Sequence, residues 1–399
     1  MSEPQPLGPS LLPTGVCSRL LAGVNGLRMH VLEAGHESPA RPLLVLLHGF
    51  PEIGYSWRKV MPALAAAGFH VVAPDQRGYG RTTGWEPRDG EEVRHGILDW
   101  VGDVVALVHA LGAQQAVVAG HDFGSQVAAC TALLRPDLVR ALVLMSSPFV
   151  GPPAPTWGSA GSPPVETTPS WPEMMRALAA LPVPRKHYQE YFSTAEADSD
   201  MRNAPQGLHA FLRAYFHVKS ADWEANAPQP LEAWTAEELA KLPSYYVMRA
   251  GETMPETVAH HAPSSAEIAG CRWLTEPELR VYTAEYARAG FRGALQFYRC
   301  RTSGSYVRAL APFVGRTIDM PACFISGRKD WGPYQKAGDI ERMQTSACSR
   351  MDPIEWIDGA GHWVQQEQPD ECVERMLQFL TRVGAVPDAV GSSSRPSKG

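Results

Sequence analysis

The five residues Gly120-His121-Asp122-Phe123-Gly124 follow an apolar run and open a helical one. A glycine on either side lets the chain turn tightly enough to project the central side chain from the end of a strand. That central residue is Asp122, and neither Gly-x-Ser-x-Gly nor Gly-x-Cys-x-Gly occurs in the chain. A carboxylate is already ionised at neutral pH and can attack a saturated carbon, whereas serine must first lose a proton. The product would be an ester between protein and substrate, whose hydrolysis needs water activated by a base. His362, in Gly359-Ala360-Gly361-His362-Trp363, follows the last strand pattern and is the candidate base. Asp330, in Gly327-Arg328-Lys329-Asp330, follows the strand pattern before it and is the candidate to orient the imidazole. Each residue alone has an ordinary reading. Asp122 suits a helix N-cap, His362 is one of 13 histidines, and Asp330 suits a solvated loop beside Arg328 and Lys329.

Such chemistry needs elements that bring distant loops to one edge. Leu27, Met29 and Val31 alternate after Asn25-Gly26, which reads as a hairpin. Apolar runs at 43–47, 71–73, 115–119, 141–145, 322–326 and 354–357 read as strands. Trp57, Met61 and Leu64, then Val127, Cys130 and Leu134, have helical spacing. Ile97, Val101, Val104, Val108 and Leu111 form a longer helical face, with Asp99 and Asp103 off it. This alternation predicts an α/β fold, a mostly parallel sheet covered by helices on both faces. It breaks at 148–184, where ten prolines leave no room for a strand or a long helix. The expected division is a core over 17–147, a mainly helical lid over 148–312 with a Pro-rich linker at 148–184, the rest of the core over 313–383, and a disordered tail over 384–399. Residues 1–16, with four prolines, read as a mobile leader or a surface strap.

Composition sets outer limits. The chain has 399 residues, 44% hydrophobic and 20% charged, and a net charge of −6. It carries no basic run of the kind that nucleic acid or an anionic membrane attracts. Seven scattered cysteines without a Cys-x-x-Cys pair argue against a structural zinc site or a disulfide framework, and suit a reducing, cytoplasmic compartment. No apolar run approaches a membrane span.

Chain order sharpens the triad. α/β-Hydrolases run nucleophile, acid, then histidine, and the loop after Met145, Ser146-Ser147-Pro148-Phe149, has no acid to compete with Asp330. From about residue 20 to 383 the chain resembles a soluble-type epoxide hydrolase of the α/β-hydrolase fold. His48-Gly49-Phe50-Pro51-Glu52 resembles the family's His-Gly-x-Pro loop. The resemblance implies a cis peptide at Pro51 and oxyanion-hole amides from Phe50 and Phe123. Asp75 to Thr82 matches a further family loop and reads as a structural turn. Gly290-Phe291-Arg292-Gly293-Ala294-Leu295-Gln296-Phe297-Tyr298-Arg299 and His187-Tyr188-Gln189-Glu190-Tyr191-Phe192 resemble the two lid segments that carry acid tyrosines. They imply Tyr298 and Tyr188, with Tyr191 as the alternative to Tyr188, and place Trp363 and Gln189 against substrate. The implied reaction takes a small-molecule epoxide to a vicinal diol with no metal or organic cofactor. It implies no nucleic-acid or membrane partner, and a monomer or homodimer. Dehalogenases on this fold share the aspartate nucleophile, but haloalkane enzymes commonly follow it with Trp and fluoroacetate enzymes with Arg. Phe123 is neither. A non-catalytic binding protein on this fold would typically lack one of the placed residues.

Overall fold

Asn25 and Gly26, at φ of 49° and 80°, occupy the left-handed conformation that a two-residue hairpin turn demands. They join β1 (Val16–Val24) to β2 (Leu27–Ala34), which pair antiparallel. The computed structural model describes residues 4–85, 95–153 and 169–386. The hairpin is followed by β3 (Leu43–Leu47), β4 (His70–Pro74), β5 (Ala116–His121) and β6 (Val139–Met145). The lid contributes β7 (Arg185–His187) and β8 (Val247–Arg249), an antiparallel pair of their own. The core resumes with β9 (Ala322–Gly327) and β10 (Glu355–Ile357).

Eight strands form one sheet in the order β1-β2-β4-β3-β5-β6-β9-β10, parallel from β4 onward. β3, β5 and β9 are buried along their whole length. That is why they read as continuous apolar runs rather than alternating ones. Each fully buried leucine or valine there contributes about 1.5–3 kcal/mol. Parallel strands place their carboxyl ends on one edge, where open α/β sheets gather their sites. Phe50, Asp122, Ser146, Asp330 and His362 all follow such ends. β6 and β9 are neighbours in the sheet, so the lid is an insertion between adjacent strands.

The helix Ile97–Ala110 buries the face read from its spacing, and also Asp103, which that spacing leaves outside. Asp103 is stabilised there by Arg77 Nη2 at 2.5 Å and Asn25 Nδ2 at 2.8 Å. The Pro-rich stretch contains one short helix among its described residues, Trp171–Ala179, with Pro172 in its first turn. Proline is tolerated there because the first-turn N–H groups have no intrahelical partner. Residues 154–168 of that stretch and 387–399 of the expected tail lie outside the described residues. The leader behaves as a strap where it is described: Leu7 is buried and its N–H donates to Ser18 Oγ at 2.8 Å. Asp75 organises its loop, accepting from Gly54 N at 2.9 Å and Arg81 N at 2.8 Å. Lid and core are joined by Arg58 to Glu278 and Arg81 to Glu285, each at 2.7 Å.

Candidate active site

Asp122 sits at φ 53° and ψ −115°, a conformation that costs a non-glycine residue roughly 1–3 kcal/mol. The flanking glycines allow it. A Cβ on Gly120 would lie 2.0 Å from the Gly124 carbonyl oxygen, and one on Gly124 would lie 2.1 Å from that of Leu47. The turn leaves the Asp122 side chain 13% exposed in an otherwise dry region. Its two oxygens have different surroundings. Oδ1 accepts from Phe123 N at 2.7 Å and Phe50 N at 3.2 Å. Oδ2 faces His362 Nε2 at 3.5 Å, too far for a good hydrogen bond. The Phe50–Pro51 peptide that sets the first amide is cis. Burial opposes ionisation of Asp122, yet His362, Lys219 and His121 hold its carboxyl down to about 2.

His362 is buried at the end of its loop. Its Nδ1 lies 3.0 Å from Asp330 Oδ1 and 2.9 Å from Ser146 Oγ. A carboxylate oxygen can only accept, so Nδ1 carries a proton, and Nε2 is the ring atom turned toward Asp122. Nε2 is buried and has no hydrogen-bond partner among the described residues. Asp330 is fixed in turn by Gly332 N at 2.7 Å and Ser326 Oγ at 3.3 Å. Burial raises its carboxyl, but His362, Ser146 and Gly332 outweigh that and hold it below the ordinary range.

Three neighbours escaped the sequence reading. Ser146, at φ 66°, lies in a loop inspected only for acids. Glu52 and His121 lie inside motifs already singled out, but nothing in their spacing says that they meet. His121 Nδ1 lies 2.6 Å from Glu52 Oε2, and its Nε2 lies 2.7 Å from the His362 carbonyl. A carbonyl and a carboxylate both accept, so both ring nitrogens are protonated. Burial works against that charge, but Glu52 and Asp122 push His121 up to about 9.

A cavity of about 300 Å³ opens between core and lid, lined among others by Asp122, Phe123, Tyr188, Gln189 and Gln335. Tyr188 Oη donates to Gln335 Oε1 at 3.1 Å and accepts from Gln189 Nε2 at 3.2 Å. Tyr298 packs edge-on to Phe123 at 4.6 Å and to Tyr188 at 5.7 Å, both of which line the cavity. Burial raises both phenols above their ordinary value, with Asp122 adding to it, so both stay protonated at neutral pH. Tyr191 turns away, its hydroxyl on Asp200 Oδ2 at 3.0 Å. Trp363 also stands apart from the cavity. It is fully buried behind His362 and donates through Nε1 to the Phe216 carbonyl at 2.8 Å. Phe123 stacks on Phe297 at 3.8 Å and brings only carbon to the cavity.

The chain is similar to known proteins over nearly its whole length. A model of the α/β hydrolase fold family matches residues 42–332. Epoxide hydrolase B of Mycobacterium tuberculosis is 35% identical over 371 residues, covering 89% of this chain and 96% of that protein. Epoxide hydrolase A of the same organism is 32% identical, covering 92% and 98%. Among solved structures, an epoxide hydrolase from an endophytic Streptomyces aligns with a TM-score of 0.73 at 30% identity, covering 93% of this chain and 97% of that one.

Proposed function

The chain belongs to the α/β hydrolase fold family and, within it, to the epoxide hydrolases, and from that premise we propose how its own residues divide the work. A small-molecule epoxide enters the cavity between sheet and lid. Tyr188 and Tyr298 polarise its oxygen. Asp122 Oδ2 attacks one ring carbon, the carbon–oxygen bond breaks, and a tyrosine gives its proton to the departing oxygen. Without that proton an alkoxide would have to leave. Oδ1, already held by the Phe50 and Phe123 amides, becomes the ester carbonyl. His362 Nε2 then takes a proton from water as the water attacks that carbonyl. The tetrahedral oxyanion forms on Oδ1, between the same two amides. As the intermediate collapses, the diol oxygen leaves with the proton from His362, and the second proton of the water passes from the new carboxyl back to the deprotonated tyrosine, restoring phenol and carboxylate.

The observation that carries this reading is the asymmetry of Asp122, with Oδ1 bound by two amides and Oδ2 facing the unpartnered Nε2. A dehalogenase would need a side-chain N–H donor for halide beside the nucleophile, and the Phe123 ring has none. No helix among the described residues is long and apolar enough to cross a membrane. Seven free cysteines support a reducing, cytoplasmic setting.

The test separates the two half-reactions. Asp122 needs no base, so His362→Gln should alkylate normally and stall as an ester. Mass spectrometry should find the protein heavier by one substrate, with the adduct on the peptide holding Asp122. Heavy-oxygen water in a first turnover of the wild type should label Asp122 rather than the diol. Label found in the diol, with no adduct in the variant, would make Asp122 a general base instead.

A further inference from the structure

Lys219 ends the lid helix Leu208–Lys219 and is buried, with only 3% of its surface exposed. A buried lysine ordinarily pairs with a carboxylate. Here the ammonium meets aromatic faces instead. Its Nζ lies 4.5 Å from the ring centre of Tyr246, 5.4 Å from Tyr215, 5.6 Å from Tyr245, 5.9 Å from Trp363 and 6.0 Å from Tyr188. Those are cation–π distances. Its polar contact is the Tyr246 hydroxyl at 3.3 Å.

The same helix end is tied to the His362 loop. The Lys219 carbonyl accepts from His362 N at 2.8 Å, and the Phe216 carbonyl accepts from Trp363 Nε1 at 2.8 Å. Glu367 accepts from Ala221 N at 2.7 Å and from Gly361 N at 3.0 Å, joining lid and loop through one carboxyl. A Cβ on Gly361 would lie 2.6 Å from the Lys219 carbonyl oxygen, so this approach requires glycine. A helix C-terminus also favours a cation electrostatically.

We propose that Lys219 is a positioning residue of the hydrolytic half-reaction, a cation carried in by the lid that fixes the His362 loop through its carbonyl and keeps the imidazole in its neutral, proton-accepting form through its ammonium. This rests on His362 being the base. Glu367, which burial pushes up to about 8, sits on the amides of Gly361 and Trp363 at 3.0 and 2.9 Å on either side of His362. Asp122 and Asp330 flank the imidazole at 3.5 and 3.0 Å, and the His121 ring lies 4.9 Å away with Glu52 behind it. Around the ammonium stand the hydroxyl-bearing rings of Tyr188, Tyr215, Tyr245 and Tyr246. Esterification removes the charge of Asp122. Asp330 and Glu52 then favour a proton on His362, and the His121 and Lys219 cations oppose it. Burial lowers Lys219 to about 8, with Asp122, Asp330 and Glu52 holding it up against further loss, and of these Asp330 and Glu52 keep their charge in the ester.

The experiment follows ester hydrolysis alone. Enzyme is loaded with epoxide in a single turnover, and the decay of the adduct is timed from pH 5 to 8.5. Lys219→Met and Lys219→Gln remove the charge while filling the cage differently. Both should move the acid midpoint of the decay rate up by about one pH unit, so that ester hydrolysis at pH 6 is slower by about tenfold. Lys219→Arg should restore the wild-type midpoint. Tyr246→Phe keeps the cage volume and loses only the ammonium's hydroxyl partner, so it should shift the midpoint the same way by a smaller step and serves if the neutral variants do not fold. Unchanged midpoints in the neutral variants, or an Arg variant as displaced as the Met one, would overturn the proposal and leave Lys219 a packing residue. Absence of any ester in these variants and in His362→Gln would instead overturn the reading of His362 itself.

Discussion

Glu52 is surrounded by donors, and that makes its replacement by glutamine severe. Oε2 accepts from His121 Nδ1 at 2.6 Å and Gly49 N at 3.1 Å, and Oε1 accepts from Gln365 Nε2 at 2.8 Å and Gln366 Nε2 at 3.1 Å. In Glu52→Gln an amide NH₂ must face one of these donor pairs, whichever way it turns. The pair is fully buried, and removing one member of such a pair costs about 3–5 kcal/mol. Part of that cost depends on pH. Raising His121 from 6.5 to about 9 is worth roughly 3 kcal/mol. Because the folded value lies above the unfolded one, this stability is fully present below pH 6.5 and is lost as pH rises through 9. Glu52 behaves oppositely. Burial raises its carboxyl, but His121 and the Gly49 amide hold it below 4.5, so its contribution is present above that pH and lost on acidification. Wild type and variant should therefore differ most between pH 4.5 and 6.5 and converge by most of that 3 kcal/mol near pH 10. Urea unfolding at pH 6 and pH 10 measures both gaps. Equal gaps at the two pH values would mean that His121 is neutral in the folded protein, and the two-acceptor argument for its charge would fail.

Two further outcomes follow from the nucleophile's surroundings. Tyr188→Phe and Tyr298→Phe should each slow alkylation about 10²-fold, the usual worth of a general acid, with the double variant nearly inactive; rapid-quench single turnovers measure it, and full activity in the double variant would remove both phenols from the mechanism. Gly49→Ala would place a Cβ 2.3 Å from that of Asp122, so the nucleophile must shift, kcat should fall about 10²-fold and stability should drop by about 1–3 kcal/mol; wild-type kcat in a folded Gly49→Ala protein would show that Asp122 tolerates displacement.

The parts legible in the sequence are those with a local signal. Strands buried on both faces announce themselves as unbroken apolar runs, and an elbow between two glycines announces a projecting side chain, so β5, the turn at Asp122 and the helix behind it can be read directly. His362 and Asp330 are legible through chain order, because a parallel sheet delivers its strand ends to one edge in a fixed sequence. The charged partners are not legible, because each is created by topology rather than by spacing. Asp103 lies off its helix's apolar stripe, yet Arg77 crosses from another loop and lets it be buried. Glu52 follows β3 and His121 ends β5; the two strands are neighbours in the sheet, but the two residues are 69 apart in the chain. Lys219 reads as the polar end of a helix until the lid folds that end onto the His362 loop. A carboxylate nucleophile makes such partners necessary. Three carboxylates, Asp122, Asp330 and Glu52, share one dry region, and desolvation alone would protonate them. Their ionisation is sustained by cations brought from elsewhere in the chain, with His121 paired to Glu52 and Lys219 arriving on the lid. The nucleophile is thus specified by five residues of sequence, whereas its charge state is specified by the fold as a whole.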